Sequence, residues 1–218
     1  MFPLKTLFPS KKCIASNNFN MNSGKKYVSI NFLLIALFIT NLSFAQKTVI
    51  GIKLGLALSN ATIDETGSGT ATYSTSTNAG ILGGIYLDVP SGKELVFRPE
   101  AEIVSKGFRR NDNYSSGDYP VRFSYIDFPA NILYKKDFTN GHFIAGGGPV
   151  IGFPINHSYL GYPLNTEFSI NGVIGYELAI GFSINVNYTY GLTNASKDKQ
   201  YVSKISNRYL GIAVGYSF

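Results

Sequence analysis

The chain has 218 residues, room for one ordinary domain, and carries 19 Lys+Arg against 13 Asp+Glu for a formal charge of +6. Residues 1–45 hold five of those cations (Lys5, Lys11, Lys12, Lys25 and Lys26) and no acid, which leaves 14 basic against 13 acidic residues beyond them. The balance removes the basic-patch case for nucleic-acid binding. The single cysteine, Cys13, and both methionines, Met1 and Met21, also lie in this leader. Beyond it there is no disulfide, thiolate nucleophile or cysteine zinc site. Two imidazoles, His142 and His157, are too few for a multi-histidine metal site, and nothing in the composition calls for a cofactor.

In chain order, Met21 to Lys26 is a short basic start, and Phe32 to Ile39 is an apolar run. Ser43 and Ala45 are small residues at the −3 and −1 positions of a cleavage site. This pattern predicts a secretory signal peptide over residues 21–45, cut between Ala45 and Gln46. The apolar run is too short for a transmembrane anchor, which needs about 20 residues. Cys13 precedes it and cannot be a lipoprotein acylation site. Residues 1–20 read as a non-native upstream extension with Met21 the initiator, and residues 46–218 as the mature domain.

That domain alternates with a period of two. From Thr48 to Ser59, Ile50, Ile52, Leu54, Leu56 and Leu58 share one face, opposite Gly51, Lys53, Gly55, Ala57 and Ser59. Phe182 to Tyr190 and Tyr209 to Phe218 repeat the pattern, bulky apolar residues against small or polar ones. Eight strands are expected, near 48–59, 79–89, 94–106, 121–135, 142–152, 167–178, 181–191 and 207–218. Most exceed the soluble norm of about 5–6 residues and suit a tilted bilayer crossing. Short turns (90–93, 136–141, 179–180) alternate with long Ser/Thr/Asn/Gly-rich connections (60–78, 107–120, 153–166, 192–206). The expected fold is therefore all-β: an eight-stranded antiparallel up-and-down transmembrane β-barrel preceded by a cleavable signal peptide.

A soluble lipocalin-like barrel would alternate too, with its apolar face inward. Three features favour the membrane. Aromatic residues end the apolar stripes as interfacial girdles do. The opposite face is Gly, Ser, Asn and charge, which make no dry core. The last strand ends on Tyr216 and Phe218, an outer-membrane assembly signal.

Gly51 to Asn60, Phe97-Arg-Pro-Glu-Ala-Glu102, Tyr125-Ile-Asp-Phe-Pro129, Gly147-Gly-Pro149, Gly175-Tyr-Glu-Leu178 and Tyr188-Thr-Tyr-Gly-Leu-Thr-Asn194 occur in order along the domain. Together they resemble the PorT-like outer-membrane β-barrels of Bacteroidota. The sequence departs from that pattern at Asp127, usually Glu, and at Ala57, often Asn. The resemblance implies an eight-stranded barrel but little about activity. One branch of the family is tied to a secretion pathway for proteins with sorting domains.

Lys53, Arg98, Glu100, Glu102 and Asp127 fall on the polar parity, most near mid-strand. Eight strands enclose an interior just wide enough for side chains, and charges there must pair. They are expected to share one level as a luminal charge network that seals the barrel. A paired-carboxylate acid/base site and a narrow ion path are the other readings. His157-Ser158 with Glu167 invites comparison with the Ser-His-acid lipid A deacylases. Adjacent residues on an extended chain point oppositely, however, and a solvated loop histidine fits better. His142 reads as interfacial. Gly146-Gly-Gly148 reads as close inter-strand packing rather than a phosphate loop, because Pro149 interrupts and no helix follows. No catalytic or metal residue is assigned.

The expectation is a non-enzymatic, monomeric outer-membrane barrel with a structural or interaction role through its external loops. A narrow porin-like pore and an outer-membrane lipid-modifying enzyme stand as alternatives. The expected partners are outer-membrane lipid, the outer-membrane assembly machinery and proteins docking at the external loops, with no nucleic acid.

Overall fold

The computed structural model describes residues 48–65, 71–111, 118–155, 164–195 and 202–218. Its strands are β1 (Val49–Glu65), β2 (Ala71–Ser74), β3 (Ser76–Pro90), β4 (Leu95–Asn111), β5 (Asp118–Phe138), β6 (Gly141–Pro154), β7 (Glu167–Leu178), β8 (Phe182–Gly191) and β9 (Val202–Ser217). All neighbours are antiparallel, in the order β2-β1-β3-β4-β5-β6-β7-β8-β9, and β9 returns to pair with β1 along Gly51–Glu65. Because β1 pairs with β3 over Val49–Ser59 and with β2 over Thr62–Glu65, β2 and β3 form one stave broken at Thr75. The Thr75 hydroxyl takes the place of ladder groups there, donating to the Ala61 carbonyl and accepting from the Ala61 amide. The result is a closed eight-stave up-and-down barrel, the form of sheet that can stand in lipid.

Sidedness decides between bilayer and water. Leu54 is 66% exposed, Ile81 64% and Ile132 61%, whereas Glu102, Lys106 and Asp127 are at most 1% exposed. The apolar stripes face outward and the polar parity faces the lumen, the reverse of a lipocalin. On β5 the outward positions run from Lys136 through Tyr134, Ile132, Phe128 and Ile126 to Ser124 and Arg122. Fourteen residues at about 3.4 Å each, tilted roughly 40°, place Arg122 about 35 Å above Lys136. That nearly spans a bilayer with its headgroup zones, about 40–45 Å. Both chain ends of the barrel and the short turns lie at the Lys136 end.

The strands outrun the expected ones toward the other end. β1 continues to Glu65, β4 to Asn111, and β5 starts at Asp118. Thus parts of the expected loops 60–78 and 107–120 are ladder, and Arg109, expected in an external loop, lies within β4 opposite Pro120. Beyond the bilayer both faces of a stave can be polar, so alternation fades while backbone pairing persists. In the β7–β8 turn, Gly181 takes φ +90° and its amide donates to the Leu178 carbonyl. The turn therefore includes Gly181, and β8 begins one residue later than expected.

Candidate functional site

The lumen holds charges in three tiers rather than on the single level expected. Nearest the short turns, Arg98 on β4 donates from Nε and Nη2 to both carboxylate oxygens of Asp88 on β3, the latter at 2.8 Å. This fork-on-carboxylate geometry is the strong form of the pair. Lys135 on β5 bridges Asp88 at 2.9 Å and Glu177 on β7 at 3.0 Å. The Arg98 guanidinium lies 4.3 Å from the Tyr86 ring centre.

In the middle tier, Lys53 on β1 sits between Glu100, which it touches closely, and Glu102 at 2.8 Å. Asn131 donates to Glu100 at 2.7 Å, and the Tyr209 hydroxyl donates to Glu102 at 3.3 Å. In the upper tier, Lys106 on β4 meets Asp127 on β5 at 2.8 Å and Glu167 on β7 at 3.4 Å. Its ammonium also lies 4.6 Å from the Tyr125 ring centre.

These contacts are cross-braces. Lys106 and Arg98 on β4 both reach β7, three staves away, so the ion pairs span the interior rather than run along one wall. Above Lys106, inward-facing Phe108, Val121, Phe123 and Tyr125 pack with Ala61 and Leu164 into an apolar cap. Below, Val96, Leu133, Ile144 and Val173 form a second apolar cluster. Beside the carboxylates of Glu167 and Glu177, the inner face of β7, β8 and β9 carries uncharged polar side chains, with Asn171, Asn185, Asn187, Thr189 and Asn207 all buried. Asn171 links to Asn131 at 3.4 Å and to Thr189 at 3.3 Å.

All five luminal residues selected from the sequence line the interior. Five more join them: Asp88, Lys106, Lys135, Glu167 and Glu177. Parity along each strand could have found them, since Lys106 shares a face with Arg98, Glu100 and Glu102. The lower tier balances two cations against two carboxylates. The middle and upper tiers each set one lysine between two carboxylates.

Catalytic constellations fare differently. Glu167, weighed as the acid of a triad, is 1% exposed and occupied with Lys106 and Asn207 inside the barrel. It is therefore not available as a triad acid at the outer edge. His157 and Ser158 lie outside the described residues. His142 stands beside the β5–β6 turn, 2.6 Å from Asp137. A Cβ added at Gly146 or Gly148 would meet the Ile132 or Ala130 carbonyl oxygen, so close strand approach accounts for these glycines. Among the described residues, no three His, Cys, Asp or Glu side chains form a metal-ligand set.

At the short-turn rim, Glu94 accepts from Lys136 Nζ at 2.8 Å. Hydrogen bonds from Lys136 and Tyr134 hold its carboxyl below the ordinary range. Tyr216 stacks edge-on with Phe182 at 5.0 Å and with Phe218 at 5.1 Å, while the Phe218 amide donates to the Ile50 carbonyl. The residues of the expected assembly signal thus join β8, β9 and β1 at one girdle.

Comparison with solved structures finds similar chains, of which one superposes closely enough to show the same fold. OprG of Pseudomonas aeruginosa superposes with a TM-score of 0.53 at 10% identity, over 79% of this chain and 97% of that one. Neisserial surface protein A gives 0.44 at 14%, over 79% and 100%. Ail of Yersinia pestis, solved with the heparin analogue sucrose octasulfate, gives 0.42 at 15%, over 79% and 100%. No curated protein sequence matches the chain. The family model for the outer membrane protein beta-barrel domain matches residues 44–197, more than half of the chain. With its outward apolar staves and closed ladder, this chain belongs to the outer membrane protein beta-barrel domain family.

Proposed function

We propose that this outer-membrane barrel is a sealed scaffold that works through its external loops, not a conducting pore and not an enzyme. One observation carries the reading: three tiers of cross-lumen ion pairs under an apolar cap occupy the interior. An eight-stave lumen has little room beyond its side chains. Ions would have to break the tiers to pass, and that leaves buried charges unpaired. The scaffold is of the PorT-like type, supported by the six ordered motifs, and reaches the membrane as a monomer after removal of residues 21–45. The luminal charges have a structural role: Lys53, Arg98, Glu100, Glu102 and Asp127, with Lys106 and Glu167 completing the upper tier. Its partners are outer-membrane lipid, the assembly machinery that reads Tyr216 and Phe218, and proteins docking at the loops. A liposome-swelling assay tests this. Vesicles carrying the folded barrel should swell in arabinose no faster than empty ones, and fast, dose-dependent swelling would overturn the scaffold reading in favour of a pore.

A further inference from the structure

At the outer end of the wall, β6 and β7 part company. Their ladder ends at Ile151↔Phe168 and Gly152↔Glu167, so no β7 residue is paired with Phe153. A groove of 490 Å³ opens there, lined by Phe153, Pro154, Leu164, Phe168 and the polar residues Asn165, Thr166, Thr193 and Asn194. Its size lies within the roughly 300–1,000 Å³ of small-molecule sites.

The lining comes from both faces of the wall. Phe153 (47% exposed) and Phe168 (50%) point outward, continuing the lipid-facing stripes of Ile151 and Ile170. Leu164 is 4% exposed and belongs to the luminal apolar cap. The groove therefore runs from the bilayer surface over the rim to the top of the lumen. Its far side is fixed, because the Thr193 hydroxyl oxygen accepts from the Phe168 amide at 2.9 Å and the Leu192 amide donates to the Phe168 carbonyl. Thr193 keeps its own proton to donate, and Thr166 is exposed beside it. Among the described residues, no charged side chain lines the groove.

We infer that this groove binds a single-chain amphiphile drawn from the outer leaflet. The hydrocarbon chain lies between Phe153 and Phe168 toward Leu164, and an uncharged, hydroxyl-rich head meets Thr166 and Thr193. The occupant follows from continuity: the apolar end opens onto the membrane-facing belt, and the polar end lies at headgroup height. A chain there packs against both phenylalanine faces. The inference rests on the outer-membrane placement and adds a ligand class to it.

The sequence contains no tryptophan, so Phe168→Trp supplies a single-site reporter in the full barrel held in lipid nanodiscs. The probe is an alkyl maltoside with a brominated chain end, and Ile174→Trp, outward on the same strand, reports ordinary lipid contact. The expected result is saturable quenching at Phe168→Trp, weak linear quenching at Ile174→Trp, and roughly tenfold weaker binding when Thr166→Arg is added. If Thr166→Arg does not fold, as judged by heat-modifiable gel mobility, Leu164→Phe fills the groove floor in its place. Linear quenching of equal size at both reporters, or saturation indifferent to the filled groove, would overturn the inference. Failure of brominated diacyl phosphatidylcholine to quench Ile174→Trp would overturn the membrane placement itself.

Discussion

Glu102 on β4 and Asp127 on β5 stand directly opposite one another, both inward and both buried. Like charges in that relation repel, yet each is held by a different lysine: Glu102 by Lys53 at 2.8 Å and Asp127 by Lys106 at 2.8 Å. The middle and upper tiers thus meet at a carboxylate pair that is tolerable only because a cation flanks it on either side.

Lys106→Met removes one of those cations and leaves Asp127 and Glu167 buried without it. The expected cost is about 3–5 kcal/mol, read as a lower urea midpoint in lipid vesicles. Glu102→Gln relieves the opposition and keeps an acceptor for Tyr209, so it should cost less than about 1 kcal/mol. Equal losses in the two variants would contradict the braced-pair account.

Arg98→Ala should destabilise the barrel by more than Arg122→Ala. Arg98 is 3% exposed and bound to Asp88, which is itself buried. Arg122 is an exposed outward residue above the belt, where surface charges contribute about 0–1 kcal/mol. The same unfolding measurement ranks the two, and the reverse order would remove the lower tier from the account.

The apolar belt was legible because a period of two maps straight onto the two faces of a stave. Ile50 through Leu58 needed only counting. The lumen was half legible. Parity placed Lys53, Arg98, Glu100, Glu102 and Asp127 inside but gave no partners. Pairing depends on barrel shear, which brings β4 across to β7, and no local pattern states that Lys106 will meet Glu167. Glu167 illustrates the ambiguity: at the start of the expected strand 167–178 it shares the parity of Ser169 and Asn171, yet its place beside a long polar connection invited comparison with a triad. The strand extensions at Glu65 and Asn111 carried no hydropathy signal, since polar residues occupy both parities there, as in Arg109-Arg110-Asn111.

Deleting Phe218 should impair assembly into the outer membrane while leaving export intact. The deletion removes the edge contact with Tyr216 and the amide bond to the Ile50 carbonyl at the closing seam. Fractionation with protease protection reads the outcome, and normal insertion of the truncated chain would contradict the role given to the terminal aromatic.

Amino-terminal sequencing of the membrane-bound protein should begin at Gln46, consistent with small residues at Ser43 and Ala45. Retention of residues 21–45 in the mature protein would overturn the cleavage reading.

Single-channel recording in planar bilayers tests the sealed lumen most directly. The folded native barrel should show no stable conductance steps, and Lys106→Met, if it folds, should admit brief cation-selective openings, since Asp127 and Glu167 then face each other without the ammonium. Stable, sizeable conductance in the native protein, together with unfolding indifferent to Lys106→Met and Arg98→Ala, would contradict the account.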